Sequence, residues 1–132
     1  MQSYVLMIRA DEDDQFFTET ILEEMRGSIP MHFIKEVPDV EQTLAVQGIP
    51  SVILVNNRDH RHKTIDVVSE LKSDPRLAHI PVVVLGEITT PEFIHKYYRA
   101  GASSYIIKPS SLAATRKKIG LFFAYWFEVA EV

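Results

Sequence analysis

Apolar runs of five or six residues alternate along the chain with longer segments in which apolar residues recur at helical spacing. The runs are YVLMI (residues 4–8), HFIKEV (32–37), SVILV (51–55), VVVLG (82–86) and SYIIK (104–108). The longer segments cover residues 11–27, 38–48, 64–72, 91–101 and 111 to about 128. Strands that alternate with helices favour parallel pairing. The pattern therefore predicts an α/β fold with a five-stranded parallel sheet and helices on both faces.

The helical segments also show which residues share a face and where a helix ends. Residues at helical spacing are Phe16, Phe17, Thr20, Ile21 and Glu24 in the first segment, Val40, Leu44 and Ala45 in the second, and Ile65, Val68 and Leu71 in the third. Pro91 in the first turn and Gly101 at the end predict the bounds of the fourth helix.

The order of the strands locates a candidate site. Right-handed crossovers leave few topologies for five parallel strands, and we predict the flavodoxin-like order 2-1-3-4-5. Its switch point lies between the first and third strands, and ligands in such folds bind beyond the carboxyl ends of those strands. The residues at these ends are Arg9, Ala10 and Asp11, and Asn56 and Asn57.

Composition limits the classes of protein that need to be considered. The chain has 132 residues, of which 46% are hydrophobic and 24% charged, and this fits one globular domain over residues 1–132. A net charge of −4 argues against a nucleic-acid partner, and the absence of cysteine excludes disulfides and thiolate metal sites. No segment has the pattern of a signal peptide or a membrane span. We therefore expect a cytoplasmic protein without membrane association.

Three motifs carry a resemblance to a known family. They are PSVILVNN (50–57), VVSELKSDPRLAHIPVVVLG (67–86) and YYRAGASSYIIKP (97–109). In order and spacing they resemble response-regulator receiver domains, and the tail YWFEV (125–129) is similar to single-domain receivers associated with bacterial phytochromes. The resemblance covers about residues 4 to 128. It implies a two-component signalling protein rather than an enzyme, with a sensor histidine kinase or another two-component protein as its partner.

Most positions that carry the chemistry of this family hold other residues. The resemblance implies an acidic pair after the first strand that binds Mg²⁺, and an aspartate at the end of the third strand that accepts a phosphoryl group. It also implies a Ser or Thr at the end of the fourth strand. At these positions the chain has Arg9 and Ala10, Asn56, and Gly86. Only the lysine expected after the fifth strand is present, as Lys108, followed by Pro109.

These replacements change what the site can do. The amide of Asn56 is neutral and a poor nucleophile, whereas an acceptor carboxylate is a charged oxygen nucleophile. Mg²⁺ prefers carboxylate oxygens, and Arg9 brings a positive charge to the place where the metal would lie. We therefore predict a pseudo-receiver with no cofactor, no metal ligands and no catalytic residues. Its pocket would be formed by Arg9, Ala10, Asp11, Asn57, Gly86, Lys108 and Pro109 around Asn56, with Tyr105 at an aromatic position that reports switching in the family.

Two alternatives remain open. In the first, the chain is an active receiver with a displaced pocket, in which Asp11 and Asp59 replace the missing groups. In the second, which belongs to another class, it is a flavodoxin-fold protein that binds a small ligand. The absence of a Gly-rich phosphate loop after the first strand argues against the second alternative.

Two charged clusters lie close to the predicted site. We interpret DEDD (11–14) as an acidic helix N-terminus, which the helix dipole favours, with a shifted metal ligand at Asp11 or Glu12 as the alternative. We interpret RDHRHK (58–63) as a solvated loop, with a contact to an anion or an acidic partner as the alternative because the loop borders the predicted pocket. His60 and His62 are too few for a zinc site, which needs three or four ligands.

The last helical segment is apolar almost all round. Its large residues include Phe122, Tyr125, Trp126 and Phe127, and only one face of the helix is needed against the sheet. Excess apolar surface indicates a partner, and the resemblance to phytochrome-associated receivers implies a homodimer. The alternative is a tail that packs on its own core.

Overall fold

The computed structural model describes residues 4–9, 12–24, 30–57, 64–108 and 111–131. The strands are β1 (Val5–Ile8), β2 (Met31–Ile34), β3 (Val52–Asn56), β4 (Val82–Gly86) and β5 (Ser104–Ile107). The helices are α1 (Glu12–Glu24), α2 (Asp39–Gln47), α3 (Thr64–Ser73), α4 (Pro91–Ala100) and α5 (Leu112–Ala124), and a π-helical turn (Tyr125–Val129) continues α5.

The strands form one parallel sheet in the order β2-β1-β3-β4-β5, which confirms the predicted fold. The second strand ends at Ile34, three residues before the predicted end at Val37. The reason is a turn: the N–H of Asp39 donates to the Glu36 carbonyl at 3.0 Å, so this segment already leads into α2. Since β1 lies between β2 and β3, the carboxyl ends of β1 and β3 are neighbours at one edge of the sheet.

Both faces of the sheet are covered, and β3 shows why its sequence is a continuous apolar run. Ile53 and Val55 face a core that also contains side chains of α2, α3 and α4. Val52 and Leu54 face the second core, beneath Phe123 of α5. Successive strand residues point to opposite faces, so a strand between two helical layers needs apolar residues at every position.

In two helices, the buried residues differ from those that helical spacing assigns to one face. In α2, Val40 and Thr43 are buried, whereas Ala45 is exposed, so the prediction that Ala45 shares the face of Val40 is wrong. In α1, Ile21 is buried but Phe16 is 64% exposed. Ala45 follows Val40 by five positions, and Ile21 follows Phe16 by five positions. Five positions turn a helix by roughly 140°, so the two residues of each pair lie on different faces.

Helix α4 has the ends that the sequence predicts. The hydroxyl of Thr90 accepts a hydrogen bond from the N–H of Phe93 at 3.2 Å, and Pro91 occupies the first turn. Gly101 ends the helix at φ 115°, a conformation that favours glycine. A β-carbon there would also lie 2.8 Å from Cγ of Lys72. These ends fix the position of α4 against α3 and β5.

Within the described ranges, no helix combines the length and the apolar character that a membrane crossing requires.

Candidate site at the carboxyl ends of the strands

Arg9, directly after β1, is a buried cation at 7% exposure. Its φ of 69° is left-handed, which costs a residue with a side chain about 1–2 kcal/mol. The backbone N–H donates to the Ile34 carbonyl at 2.9 Å, and Nη1 donates to Oγ1 of Thr64 at 3.3 Å. The second contact places the guanidinium at the start of α3, close to the end of β1.

Asn56, the last residue of β3, is fully buried. Its Nδ2 donates to the backbone carbonyl of Arg9 at 3.2 Å. An ionised aspartate at this position has no proton to donate and would direct a negative charge at that carbonyl oxygen. The local geometry therefore suits an amide and disfavours the carboxylate that a phosphoryl acceptor needs.

Asn57 follows β3 and joins three other elements. Its backbone N–H donates to the Leu85 carbonyl at 2.7 Å. The side-chain Oδ1 accepts from the hydroxyl of Thr64 at 2.8 Å, and Nδ2 donates to the hydroxyl of Tyr97 at 3.1 Å. Arg9, Asn56, Asn57, Thr64 and Tyr97 thus form a connected cluster, which we call the polar site.

The space beside Gly86, at the end of β4, is filled by Tyr105 of β5. A β-carbon at position 86 would lie 2.1 Å from the Tyr105 hydroxyl oxygen and 2.6 Å from the ring carbon that bears it. The Tyr105 hydroxyl donates to the Glu87 carbonyl at 2.9 Å. A serine or threonine at position 86 is therefore incompatible with this position of Tyr105.

The two tyrosines stay neutral at physiological pH. Burial raises the pKa of Tyr97, and the nearby Tyr105 raises it further, while Arg9 acts in the opposite direction. Burial also raises the pKa of Tyr105, against a smaller lowering by the Asn57 amide. Both hydroxyls therefore act as neutral hydrogen-bonding groups.

Lys108 lies at the same edge of the sheet. It follows β5, is half-buried, and its backbone N–H donates to the Gly86 carbonyl at 2.8 Å. The other predicted residues of this region, Ala10, Asp11, Pro109 and the loop 58–63 with Asp59, His60 and His62, lie outside the described residues.

The Mg²⁺ that the resemblance implies does not fit the described part of the site. A buried guanidinium lies there, and the side chains bonded around it offer amide and hydroxyl groups rather than carboxylates. In the parts of the chain that the structure describes, no group of three or more His, Asp or Glu residues could hold a metal ion. No chemistry through Mg²⁺ follows from this arrangement.

The sequence does not show that Thr64 and Tyr97 belong to the site. Thr64 begins α3 and is buried, a position where an N-terminal threonine is ordinary. Tyr97 and Tyr98 are adjacent and identical, yet Tyr97 is buried and Tyr98 is 46% exposed. Only the rotation of α4 against the sheet distinguishes them, so the residue type gives no signal.

The predicted partner surface on the last helix divides into two parts. Phe122 is buried in the core, and Trp126 and Phe127 pack against it. Tyr125 is exposed, and so are Leu121 and Val129. These three recur every four residues and form an apolar stripe. The stripe borders a groove of about 450 Å³ between β5 and α5, lined by Tyr105, Ile107, Lys118, Phe122 and Trp126 among others.

Curated proteins that resemble this chain are regulators, although no protein-family model matches it. One is the two-component response regulator ORR13 of Oryza sativa subsp. japonica, 42% identical over 48 residues, which are 36% of this chain and 40% of that protein. Another is the probable methanogenesis regulatory protein FilR2 of Methanothrix harundinacea, 30% identical over 80 residues, 61% of this chain and 52% of that protein. The matches thus span about half or less of these relatives.

Among solved structures, the phosphorylated cyanobacterial phytochrome response regulator RcpA has the same fold. Its TM-score is 0.86 at 20% identity, over 99% of this chain and 98% of that chain. Together with the curated relatives, this likeness confirms the resemblance of the chain to response-regulator receiver domains.

Proposed function

We propose that this chain is a pseudo-receiver, a cytoplasmic receiver-like domain over residues 1–132 that acts in two-component signalling without accepting a phosphoryl group. It would bind a sensor histidine kinase or another two-component protein and is not an enzyme. The receiver fold and the regulator relatives support the signalling role. The proposal depends on one observation: the buried Asn56 amide donates to the backbone carbonyl of Arg9, and the guanidinium of this Arg9 bonds Thr64 in the same polar site.

This observation bears on both requirements of phosphoryl transfer. The acceptor must be a nucleophile, and an amide whose N–H groups are directed at a carbonyl is not one. The transferred group also needs a divalent cation to neutralise its charge, and a fixed guanidinium repels such an ion. In its present position, Tyr105 also fills the space that a third family feature, a hydroxyl side chain at position 86, would need.

Incubation with Mg²⁺ and acetyl phosphate, followed by intact mass measurement, tests the proposal. We expect an unshifted mass under conditions in which a conventional receiver gains one phosphoryl group. A stoichiometric adduct would overturn the proposal in favour of an active receiver with a displaced pocket. Peptide mapping would then show whether Asp11 or Asp59 carries the group. A co-purifying small molecule that stabilises the fold would instead favour a ligand binder.

We further propose that the chain forms a homodimer through α5. The apolar stripe of Leu121, Tyr125 and Val129 lies on one side of the helix and its continuation. Basic residues 116–118 precede the stripe, whereas Glu128 and Glu131 lie at its far end. In an antiparallel pair of α5 helices, the basic end of one protomer would therefore meet the acidic end of the other.

A pair of charge-introducing variants tests this arrangement. Leu121→Glu should raise the dimer dissociation constant at least about tenfold in sedimentation equilibrium, because it buries a charge in the interface. Val46→Glu is the matched control, since Val46 is 72% exposed on α2, away from the stripe. A wild-type monomer at all accessible concentrations, or equal effects of both variants, would contradict the proposal.

A further inference from the structure

A directed chain of hydrogen bonds leads from Arg9 to α4. A guanidinium only donates, so Arg9 makes Thr64 an acceptor, and the single hydroxyl proton of Thr64 then points to Oδ1 of Asn57. The carbonyl of the Asn57 amide is therefore turned to Thr64, and its N–H groups are turned to Tyr97. Each orientation follows from the one before it, starting from the guanidinium of Arg9.

From Tyr97 the connection continues through aromatic contacts. The rings of Tyr97 and Tyr105 lie 5.3 Å apart, and Phe93 meets Tyr97 edge-on at 5.5 Å. The N–H of Tyr105 donates to the hydroxyl of Tyr98 at 3.1 Å. Phe93 and Tyr98 are 40% and 46% exposed, so side chains that contact Tyr97 and Tyr105 also form part of the surface.

We propose that Asn57 is the coupling residue of this molecule: its amide holds Tyr97, and through Tyr97 the ring of Tyr105 beside Gly86, and so fixes the α4–β5 surface in one state. The inference rests on the proposed function as a signalling module and adds where the surface state is set. The neighbouring Asn56 does not contact α4 through this bond: its amide donates to the backbone carbonyl of Arg9, at the end of β1.

The Asn57 side chain suits this role better than the residues closest to it in shape. An aspartate accepts from Thr64 equally well but has no N–H for Tyr97, so that tyrosine would have to reorient. A leucine would leave the Thr64 and Tyr97 hydroxyls without their present partner in a buried place, which is costly. The coupling thus requires a group that accepts on one side and donates on the other.

Hydrogen–deuterium exchange measured by mass spectrometry on the full chain tests the coupling. Asn57→Ala and Tyr97→Phe each remove the same bond from opposite ends. We expect each to speed exchange over residues 91–107 about tenfold, with β1 and β2 unchanged. Over residues 91–107 the double variant should match Asn57→Ala, which also removes the acceptor of Thr64, because Tyr97 and Asn57 meet through one contact. Tyr4→Phe, which removes a tyrosine hydroxyl bonded to the Gly48 carbonyl outside this chain of contacts, is the matched control for exchange over residues 91–107.

Two outcomes would overturn the proposal: unchanged exchange over residues 91–107 in Tyr97→Phe, or a uniform increase across the whole sheet, which indicates a merely structural role. If Asn57→Ala does not fold, Tyr97→Phe still tests the proposal, because it keeps the ring and removes only the hydroxyl. Exchange is measured without a phosphodonor. A phosphoryl adduct on the wild type would therefore defeat the proposed function and leave this result intact.

Discussion

The carboxyl ends of the strands and the outer side of α5 depart from ordinary proteins in opposite ways. At the strand ends, the polar side chains of Arg9, Asn56 and Thr64 are buried. On α5, large apolar side chains such as Leu121 and Tyr125 are exposed. Buried polar groups and exposed apolar patches are the informative exceptions in a folded chain. The difference is that the polar groups of one region find partners within the molecule, whereas the other region leaves apolar side chains exposed.

The two regions also differ in what holds them. The polar site depends on directed bonds, each of which fixes the orientation of the next. Helix α5 depends on close packing of Phe122 and Phe123 against the sheet, while its stripe adds little to the fold. Substitutions should therefore act through hydrogen bonds in the first region, and through either stability or association in the second.

The largest loss of stability is expected from substitutions where α5 packs into the core. Phe123→Ala should lower the free energy of unfolding by about 3–5 kcal/mol, because Phe123 is 2% exposed and its loss leaves a cavity. Leu121→Ala, two positions away on the exposed side, should change it by less than about 0.5 kcal/mol. Urea unfolding measures both. Equal losses would show that the stripe is part of the core.

A smaller effect is expected from the polar site. Thr64→Val keeps the shape but removes the hydroxyl between Arg9 and Asn57, and should lower the free energy of unfolding by about 1–3 kcal/mol because Arg9 is buried and Asn57 is partly buried. Thr115→Val is the control, since the Thr115 hydroxyl bonds only to the Ser111 carbonyl one turn earlier. Urea unfolding measures both variants. If Thr64→Val loses no more stability than Thr115→Val, the hydrogen bonds from Arg9 through Thr64 to Asn57 do not stabilise the site.

Alkaline pH should weaken the same region. Burial raises the pKa of Tyr97 and Tyr105, so the unfolded chain, in which tyrosine titrates at about 10, loses these protons first. The contribution of these groups is fully present below pH about 10 and is lost as the pH rises through their folded pKa. Tyr97→Phe should therefore lose less stability between pH 9 and about 11 than the wild type. A parallel pH profile for both proteins would contradict the assignment.

The smallest effect is expected at an exposed ion cluster far from both regions. Arg76 bonds Glu41 and Asp74, and these hydrogen bonds lower the pKa of both carboxyl groups. Their contribution is present above the unfolded pKa near 4 and is lost as the pH falls through the folded pKa. Arg76→Ala should barely shift the urea midpoint at pH 7, and the shift should vanish in 1 M salt or at acid pH. A large shift would give this cluster a structural role.

The pattern of the sequence predicts the sheet order and nearly every element, because strand and helix periodicities depend on local spacing. It also predicts that Arg9, Asn56, Gly86 and Lys108 lie at one edge, because strand ends are set by topology. It does not predict the link from Thr64 to Tyr97, or the way in which Tyr105 fills the space beside Gly86. Those contacts depend on how α3 and α4 rotate against the sheet, which no local spacing encodes.

The most direct test of the central claim is the intact mass of Asn56→Asp after incubation with Mg²⁺ and acetyl phosphate, beside a conventional receiver. The substitution supplies the missing nucleophile and leaves the Arg9 guanidinium in place. We predict an unshifted mass, because the cation-binding acids are still replaced by Arg9 and Ala10. A stoichiometric phosphoryl adduct that maps to position 56 would contradict the claim, since the Asn56 amide alone would then prevent phosphorylation of the wild-type chain.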